Sequence, residues 1–404
     1  MTYNTQTFKP RIELVDAIRG FALLGILLIH GMEHFDFIHR PEYNPEFFQP
    51  INRWINRSIR FVFSGKSYSI FSLMFGFSFF VLMDRNANRG IDYRERFLWR
   101  MLVLFILGYL HSIFYIGEVL TIYAVLGILL VPIYHFNKKL LLALAILFFL
   151  QLPIIAFLLH SYNDAEFRPF LPYAFGGYRG AAEIFSDGSI WEVFRYAMFK
   201  GHETKWVWMI NNGRITQLIG LFIMGLYIGK TGYFENLRKY TKTTLIVLGI
   251  SIAVFSVFQI LTQNLSEFEV SNIQRRLYRN LFSSYANVAF VAIIVTCFAL
   301  IYDRTKVRFK GMALYGRMSL SSYIFQAVVG VPFFYGFGLG MYKYFNRTFS
   351  VLFAIIVYLL QLWFCHWWFK RYKYGPLEWL WRGLTAMKFS SNKLVKSSDT
   401  KMNS

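Results

Sequence analysis

Charge is scarce in this chain, and acid is scarcer than base. Only 16% of its 404 residues are charged, with 22 Asp and Glu against 43 Lys and Arg, where an ordinary soluble domain carries roughly 25% charged residues. That deficit, beside a hydrophobic content of 56%, excludes a soluble globular protein of this length. There are two cysteines, Cys297 and Cys365, each inside a hydrophobic run, so they read as small buried residues and not as a disulfide framework. Low-complexity blocks are absent, as are repeats at the spacing of solenoids. No small-residue cleavage site follows the first apolar run, so that run is expected to stay as a signal anchor.

In place of these the chain has long apolar stretches. Ten recur, at about 14–35, 59–83, 97–116, 118–135, 139–160, 213–230, 243–262, 283–302, 312–335 and 349–369. Each is long enough to cross a hydrocarbon layer of about 30 Å. The expected fold is all-α, a polytopic transmembrane bundle forming one membrane domain over 1–387. Its N-terminal half covers about 10–160, an outward loop 161–212, and the C-terminal half about 213–387. A disordered cytoplasmic tail is expected over 388–404.

The net charge of +21 invites a nucleic-acid reading, but its distribution points elsewhere. Short loops on the side of the N-terminus hold fifteen basic residues, among them Arg85, Arg94, Arg96, Arg100, Lys239 and Lys306, and those on the other side hold eight. This asymmetry places both termini in the cytoplasm. The basic charge is then topology and contact with anionic lipid, with no nucleic-acid partner expected.

The first span carries groups that a plain lipid anchor excludes: Asp16 and Arg19 near one end, His30, Glu33 and His34 near the other. Arg19 and His30 are eleven residues apart, on one helical face and about 16 Å apart along the axis. Ionisable groups at membrane depth normally line a protein interior or a wet cavity. At 1.5 Å per residue, other polar residues fall at the outer height of His30. They are Lys66, His111, Glu118, Arg214, Gln217 and Gln326. Agreement in depth across several spans predicts a polar cavity that opens outward. Each residue also has a plainer reading: a satisfied buried histidine, a snorkelling lysine, or a glutamine joining helices. The run His30-Gly-Met-Glu33-His34 also fits a zinc-peptidase pattern, but five residues make a weak motif and no metal is expected.

Several segments together resemble the YeiB-like family of bacterial inner-membrane proteins. They are LVDAIRGFALLGILLIH (14–30), GKSYSIFSLMFGFSFF (65–80), LHSIFYIGEVLTIYAVLG (110–127), GLFIMGLYIGKTG (220–232), GRMSLSSYIFQAVVG (316–330) and YGPLEWLWR (374–382). More distantly, the first span resembles transmembrane acyltransferases such as heparan-α-glucosaminide N-acetyltransferase and the acyltransferase type three family. The latter carries an arginine, ten residues, then a histidine, a spacing Arg19 and His30 reproduce. What this resemblance implies is transfer of an acyl group from cytoplasmic acyl-CoA to a hydroxyl or amine of an extracytoplasmic glycan or lipid. His30, His111, Glu118 and Lys66 are then the catalytic candidates. Arg19, Arg94, Arg96 and Arg100 are the candidates for the CoA phosphates, although RERFLWR (94–100) only loosely matches the arginine-rich signature of type three enzymes. Arg214, Gln217 and Gln326 are the acceptor-side candidates. The alternative is a transporter or channel for a small polar or anionic solute, in which the same charges form a path.

Overall fold

The computed structural model describes residues 11–37, 41–43, 45–164, 166–172, 177–178, 180–305 and 308–394. Among them the regular structure is helical and no strand forms, apart from one isolated bridge between Tyr372 and Lys393. Helix α1 (Glu13–Met32) starts with Glu13 and Asp16 in its first turn, where acid complements the helix dipole. An amphipathic α2 (Gln49–Phe63) leads into α3 (Ser67–Ala87). Next come α4 (Arg94–Ser112), α5 (Leu120–Gly127), α6 (Leu130–Ile133), α7 (Lys138–Phe149) and α8 (Leu152–Asn163). The loop over 161–212 holds α9 (Ala182–Asp187), α10 (Ile190–Tyr196) and α11 (His202–Asn211). The second half is α12 (Arg214–Thr231), α13 (Thr241–Gln263), α14 (Asn272–Arg304), α15 (Lys310–Arg317), α16 (Ser319–Phe334), α17 (Arg347–Phe369) and α18 (Pro376–Ala386).

Among the described residues six helical stretches are long and apolar enough to cross a membrane: Glu13–Met32, Glu46–Ala87, Lys138–Asn163, Leu237–Glu267, Asn272–Arg304 and Arg347–Phe369. Only 11% of the apolar window in Leu237–Glu267 is buried, so its exposed Ile246, Ile250, Val257 and Ile260 make a surface suited to lipid. This is a membrane protein. Of the remaining expected spans, 97–116 and 213–230 carry charge, and helical breaks fall inside several stretches, two of the six included. The 59–83 stretch breaks where Ser64 is extended and Gly65 has φ +75°, and Lys66 sits at the head of α3 instead of two turns inside a span. The 118–135 stretch divides into α5 and α6, and 312–335 divides at Met318. Gln151, with φ +57° before Pro153, separates α7 from α8.

Two close helix contacts set the frame. A Cβ at Gly20 would lie 2.0 Å from the Met312 carbonyl oxygen and one at Gly316 1.9 Å from that of Asp16, so α1 and α15 meet backbone to backbone. Gly76 and Gly225 do the same for α3 and α12, with 2.0 and 2.1 Å to the carbonyl oxygens of Phe222 and Leu73. Small residues at such crossings let helices associate where apolar lipid gives no hydrophobic drive.

The expected disordered tail folds back in its first part. Phe389 packs on Trp379, Ser390 accepts from Trp379 Nε1 at 2.8 Å, and Asn392 bonds both backbone groups of Tyr374. Aromatic area and saturated backbone bonds hold residues 388–394 in place; the rest of the tail, 395–404, lies outside the described residues, as does Lys306.

Candidate functional site

Two cavities approach each other along α1. The one near its C-terminal end has a volume of about 900 Å³ and the one near its N-terminal end about 520 Å³. Ile26 and Val119 line both, so a thin apolar floor separates them. His30 lines the first and Arg19 the second. The eleven-residue spacing therefore spans the floor.

The larger cavity contains a fixed ion pair. Glu118 is 0% exposed in the turn before α5, where its Oε1 accepts from the Thr121 backbone N–H at 3.0 Å and its Oε2 from the Thr121 hydroxyl at 2.9 Å. Lys205 on α11, 3% exposed, donates to Glu118 Oε2 at 3.0 Å and to the Thr121 hydroxyl at 2.8 Å. The 161–212 loop thus sends a cation into the bundle. The ring of His30 lies 4.7 Å from Tyr115 and 6.3 Å from Tyr323, centroid to centroid. His111 sits beneath, 5.1 Å from Tyr323 and 3% exposed, with neither ring nitrogen hydrogen-bonded among the described residues.

Asp36 completes this wall. His34, Phe35 and Asp36 all have left-handed φ, at +50°, +56° and +66°, a conformation costing non-glycine residues roughly 1–2 kcal/mol each. The cost is offset by a clamp. Phe35 N–H donates to the His30 carbonyl at 2.7 Å, and the Phe35 carbonyl accepts from the Tyr335 hydroxyl at 2.7 Å. The Phe35 ring fills the space left by Gly330, where a Cβ would come within 1.9 Å of it. The turn directs the Asp36 carboxylate into the cavity, facing the Tyr115 hydroxyl, while its Oδ2 makes no hydrogen bond among the described residues. Beyond the end of the α1 span, burial and then the nearby Glu33 push this carboxyl up from 3.8 to about 7, against the Tyr115 hydroxyl, which favours its ionised form. A carboxyl raised in the fold contributes stability below its ordinary value and loses it as pH rises toward the raised one. Asp36→Asn cannot ionise, so its thermal midpoint at pH 8 is expected to exceed that of the native protein, with the gap closing toward pH 4. Equal midpoints at pH 8 would refute this assignment.

The smaller cavity is strongly cationic. Arg11, Arg19, Arg85, Arg100, Arg317, Lys373 and Arg382 line it, against Asp16, Glu235 and Glu378. Asp16 accepts from Arg11 at 2.9 Å and Arg19 at 3.1 Å, and Arg19 also donates to the Ser78 hydroxyl. The Arg100 guanidinium lies 3.5 Å over the Trp381 ring and that of Arg382 4.2 Å over Tyr374. The segment YGPLEWLWR therefore forms part of this wall. Cations held in place by stacking and backbone contacts suit phosphate groups.

The expected site residues fall into groups. His30 and Glu118 line the larger cavity with Lys205 and Asp36, and His111 lies just behind them. Arg19 and Arg100 line the smaller one, whereas Arg94 is exposed and paired with Asp92 at 2.6 Å, and Arg96 is exposed. Lys66, Arg214 and Gln217 gather in a separate corner between α3, α12 and α14: Arg214 donates to Gln217 Oε1 at 2.8 Å, and Gln217 donates to Ser69 at 3.1 Å. Gln326 belongs to a packing network, donating to the Tyr315 hydroxyl at 2.9 Å. The zinc-like run loses its helical geometry because α1 ends at Met32. His34 turns to Ser350, Nε2 to Oγ 2.9 Å, and stacks on Phe334, while Glu33 pairs with Arg60 at 2.7 Å. Lys205 was missed in an aromatic stretch that reads as interfacial. The signal for it is Glu118 itself, since a carboxylate between two apolar runs needs a cation.

Residues 228–388 match the family DUF418, described as a protein of unknown function. Over nearly its whole length the chain is similar to uncharacterized protein YxaH of Bacillus subtilis (strain 168), 26% identical and covering 94% of this chain and 95% of that protein. Uncharacterized protein YeiB of Escherichia coli (strain K12) is 24% identical, with 92% and 95% covered. The uncharacterized 39.9 kDa protein in the amylase 3'region of Bacillus acidopullulyticus is 27% identical, with 93% and 94% covered. These matches support the YeiB-like family. The three relatives, like the segments that carry the resemblance, extend over both halves of the helical assembly and so over both cavities, whereas the family match lies within the second half.

Proposed function

We propose that this YeiB-like chain is an inner-membrane acyltransferase. The observation that carries the reading is the pair of unlike cavities meeting at Ile26 and Val119, one cationic, the other holding His30, Glu118, Lys205 and Asp36. Arg19 and Arg100 are placed to hold the phosphates of an acyl-CoA donor, with the thioester directed at the floor. On the other side, a nitrogen of His30 takes the proton of the acceptor's O–H or N–H as its oxygen or nitrogen bonds the acyl carbon. The C–S bond breaks and the CoA sulfur takes up the proton that His30 accepted, leaving as the thiol. Lys205, and not Lys66, is the lysine that lines the larger cavity, available for developing oxyanion charge.

The test is to supply labelled acetyl-CoA to the full-length protein in proteoliposomes together with an envelope fraction. Label is expected in envelope material, and Arg19→Ala is expected to weaken CoA binding about tenfold or more, the scale of one lost charge-assisted contact. Solute flux without labelling in any variant would replace this reading with the transporter, since two back-to-back cavities also suit a substrate path.

The same reading includes ten crossings with both termini cytoplasmic, α4, α5–α6, α12 and α15–α16 adding to the six long apolar stretches. Reporter fusions at Lys239 and Gly180 are expected to report opposite sides. Agreement between them would overturn the topology.

A further inference from the structure

The corner that draws Lys66, Arg214 and Gln217 away from the cavity floor has its own chemistry. Helices α3 and α12 run parallel and in close contact, with Gly225 against Leu73 and Gln217 bonded to Ser69. That register brings the first turns of the two helices to one level, Lys66 at the head of α3 and Arg214 at the head of α12. Neither helix start has a side-chain cap, so two sets of backbone N–H groups and two positive dipole ends converge there.

Among the described residues no acid pairs with this charge. Arg214 is 9% exposed and bonds only neutral oxygens, Gln217 Oε1 at 2.8 Å and Ser283 Oγ at 3.1 Å, and its buried Nε has no partner among the described residues. Lys66 makes no ion pair and stands 5.4 Å over the Phe290 ring. The Tyr68 hydroxyl, within electrostatic reach of Arg214, and the buried Ser67 hydroxyl also lack partners. Unpaired buried cations are expensive at membrane depth, and orphaned donors add to that cost. Access is provided: Ser64, Gly65, Ser67 and Tyr68 line the larger cavity.

We propose that this corner is an oxyanion site that holds a phosphate group between Lys66 and Arg214, where the two helix starts converge. A tetrahedral phosphate has acceptor oxygens for the guanidinium Nε, the lysine ammonium, the orphaned hydroxyls and the free N–H groups at once. The phosphate is that of a lipid headgroup or of a soluble ligand entering through the cavity. The site stands whether or not the protein transfers acyl groups.

Full-length protein is followed by thermal unfolding in two settings: in detergent with potassium phosphate against potassium chloride of equal ionic strength, and in nanodiscs of phosphatidylcholine with or without phosphatidylglycerol. A rise in midpoint of about 2–4 °C is expected in at least one setting. A response to phosphate identifies a free phosphate group as sufficient, and a response to phosphatidylglycerol alone identifies the lipid. Lys66→Gln is expected to lose at least about half of the rise and Lys66→Arg to keep it. Should Lys66→Gln not fold, the phosphate and lipid responses of the native protein and of Lys66→Arg still decide. No rise in either setting, or a rise undiminished in a folded Lys66→Gln, would overturn the site.

Discussion

Replacement of His30 by Ala is expected to lower acyl transfer by about 10²–10⁴-fold, the usual contribution of a positioned proton-transfer group. His30 lines the larger cavity one turn beyond its floor at Ile26, held against Tyr115 and Tyr323 from the last turn of α1, and His34 lines it too. Its neighbour in sequence supplies the control. His34 spends its Nε2 on Ser350 and its face on Phe334, so His34→Ala loses packing and the Ser350 hydrogen bond. That variant is expected to unfold at lower temperature while keeping most of its activity per folded molecule. Transfer rates are measured with labelled acetyl-CoA, and folded fractions by size-exclusion chromatography. Equal losses of activity from the two substitutions would remove His30 from its role.

The second large effect is on stability. Lys205→Ala leaves Glu118, fully buried, with the Thr121 donors but without its cation. Removing one partner of a buried pair costs about 3–5 kcal/mol because the other charge stays behind. The double variant Glu118→Gln, Lys205→Met removes both charges and is expected to recover most of that loss. Denaturant unfolding in detergent reads both. A Lys205→Ala variant destabilised by less than about 1 kcal/mol would show that Glu118 does not depend on Lys205 for its charge. Since the pair also joins α11 to the turn before α5, the single variant is expected to loosen the outward loop, read as faster proteolysis between 161 and 212.

The first helix was the most legible part of the chain. Its period and its two charged ends can be read directly, and the structure puts Arg19 and His30 at the two cavities. Spacing along a helix axis was legible, because rise per residue is fixed in a helix. Azimuth was not. Lys66, Arg214 and Gln217, expected at one level with Glu118, face a different neighbour, since the Gly76 and Gly225 contact brings α3 and α12 together and toward α14. Asp36 was hidden for another reason: a run of three left-handed residues has no local signature, and only Tyr335, Gly330 and the His30 carbonyl hold it.

By itself, the sequence determined that the chain is all-helical and lies in a membrane, because apolar length and scarce charge leave no other way to satisfy the backbone. It also marked α1 as the helix that carries ionisable groups from one end of the assembly to the other. The tertiary structure decided which of those groups meet. It broke expected spans at Gly65, Gln151 and Met318, brought Lys205 in from a long loop to Glu118, and gathered cations from both ends of the chain around Arg19. Such choices depend on backbone contacts at small residues and on the pairing of buried charges between residues far apart in sequence, which no local pattern encodes.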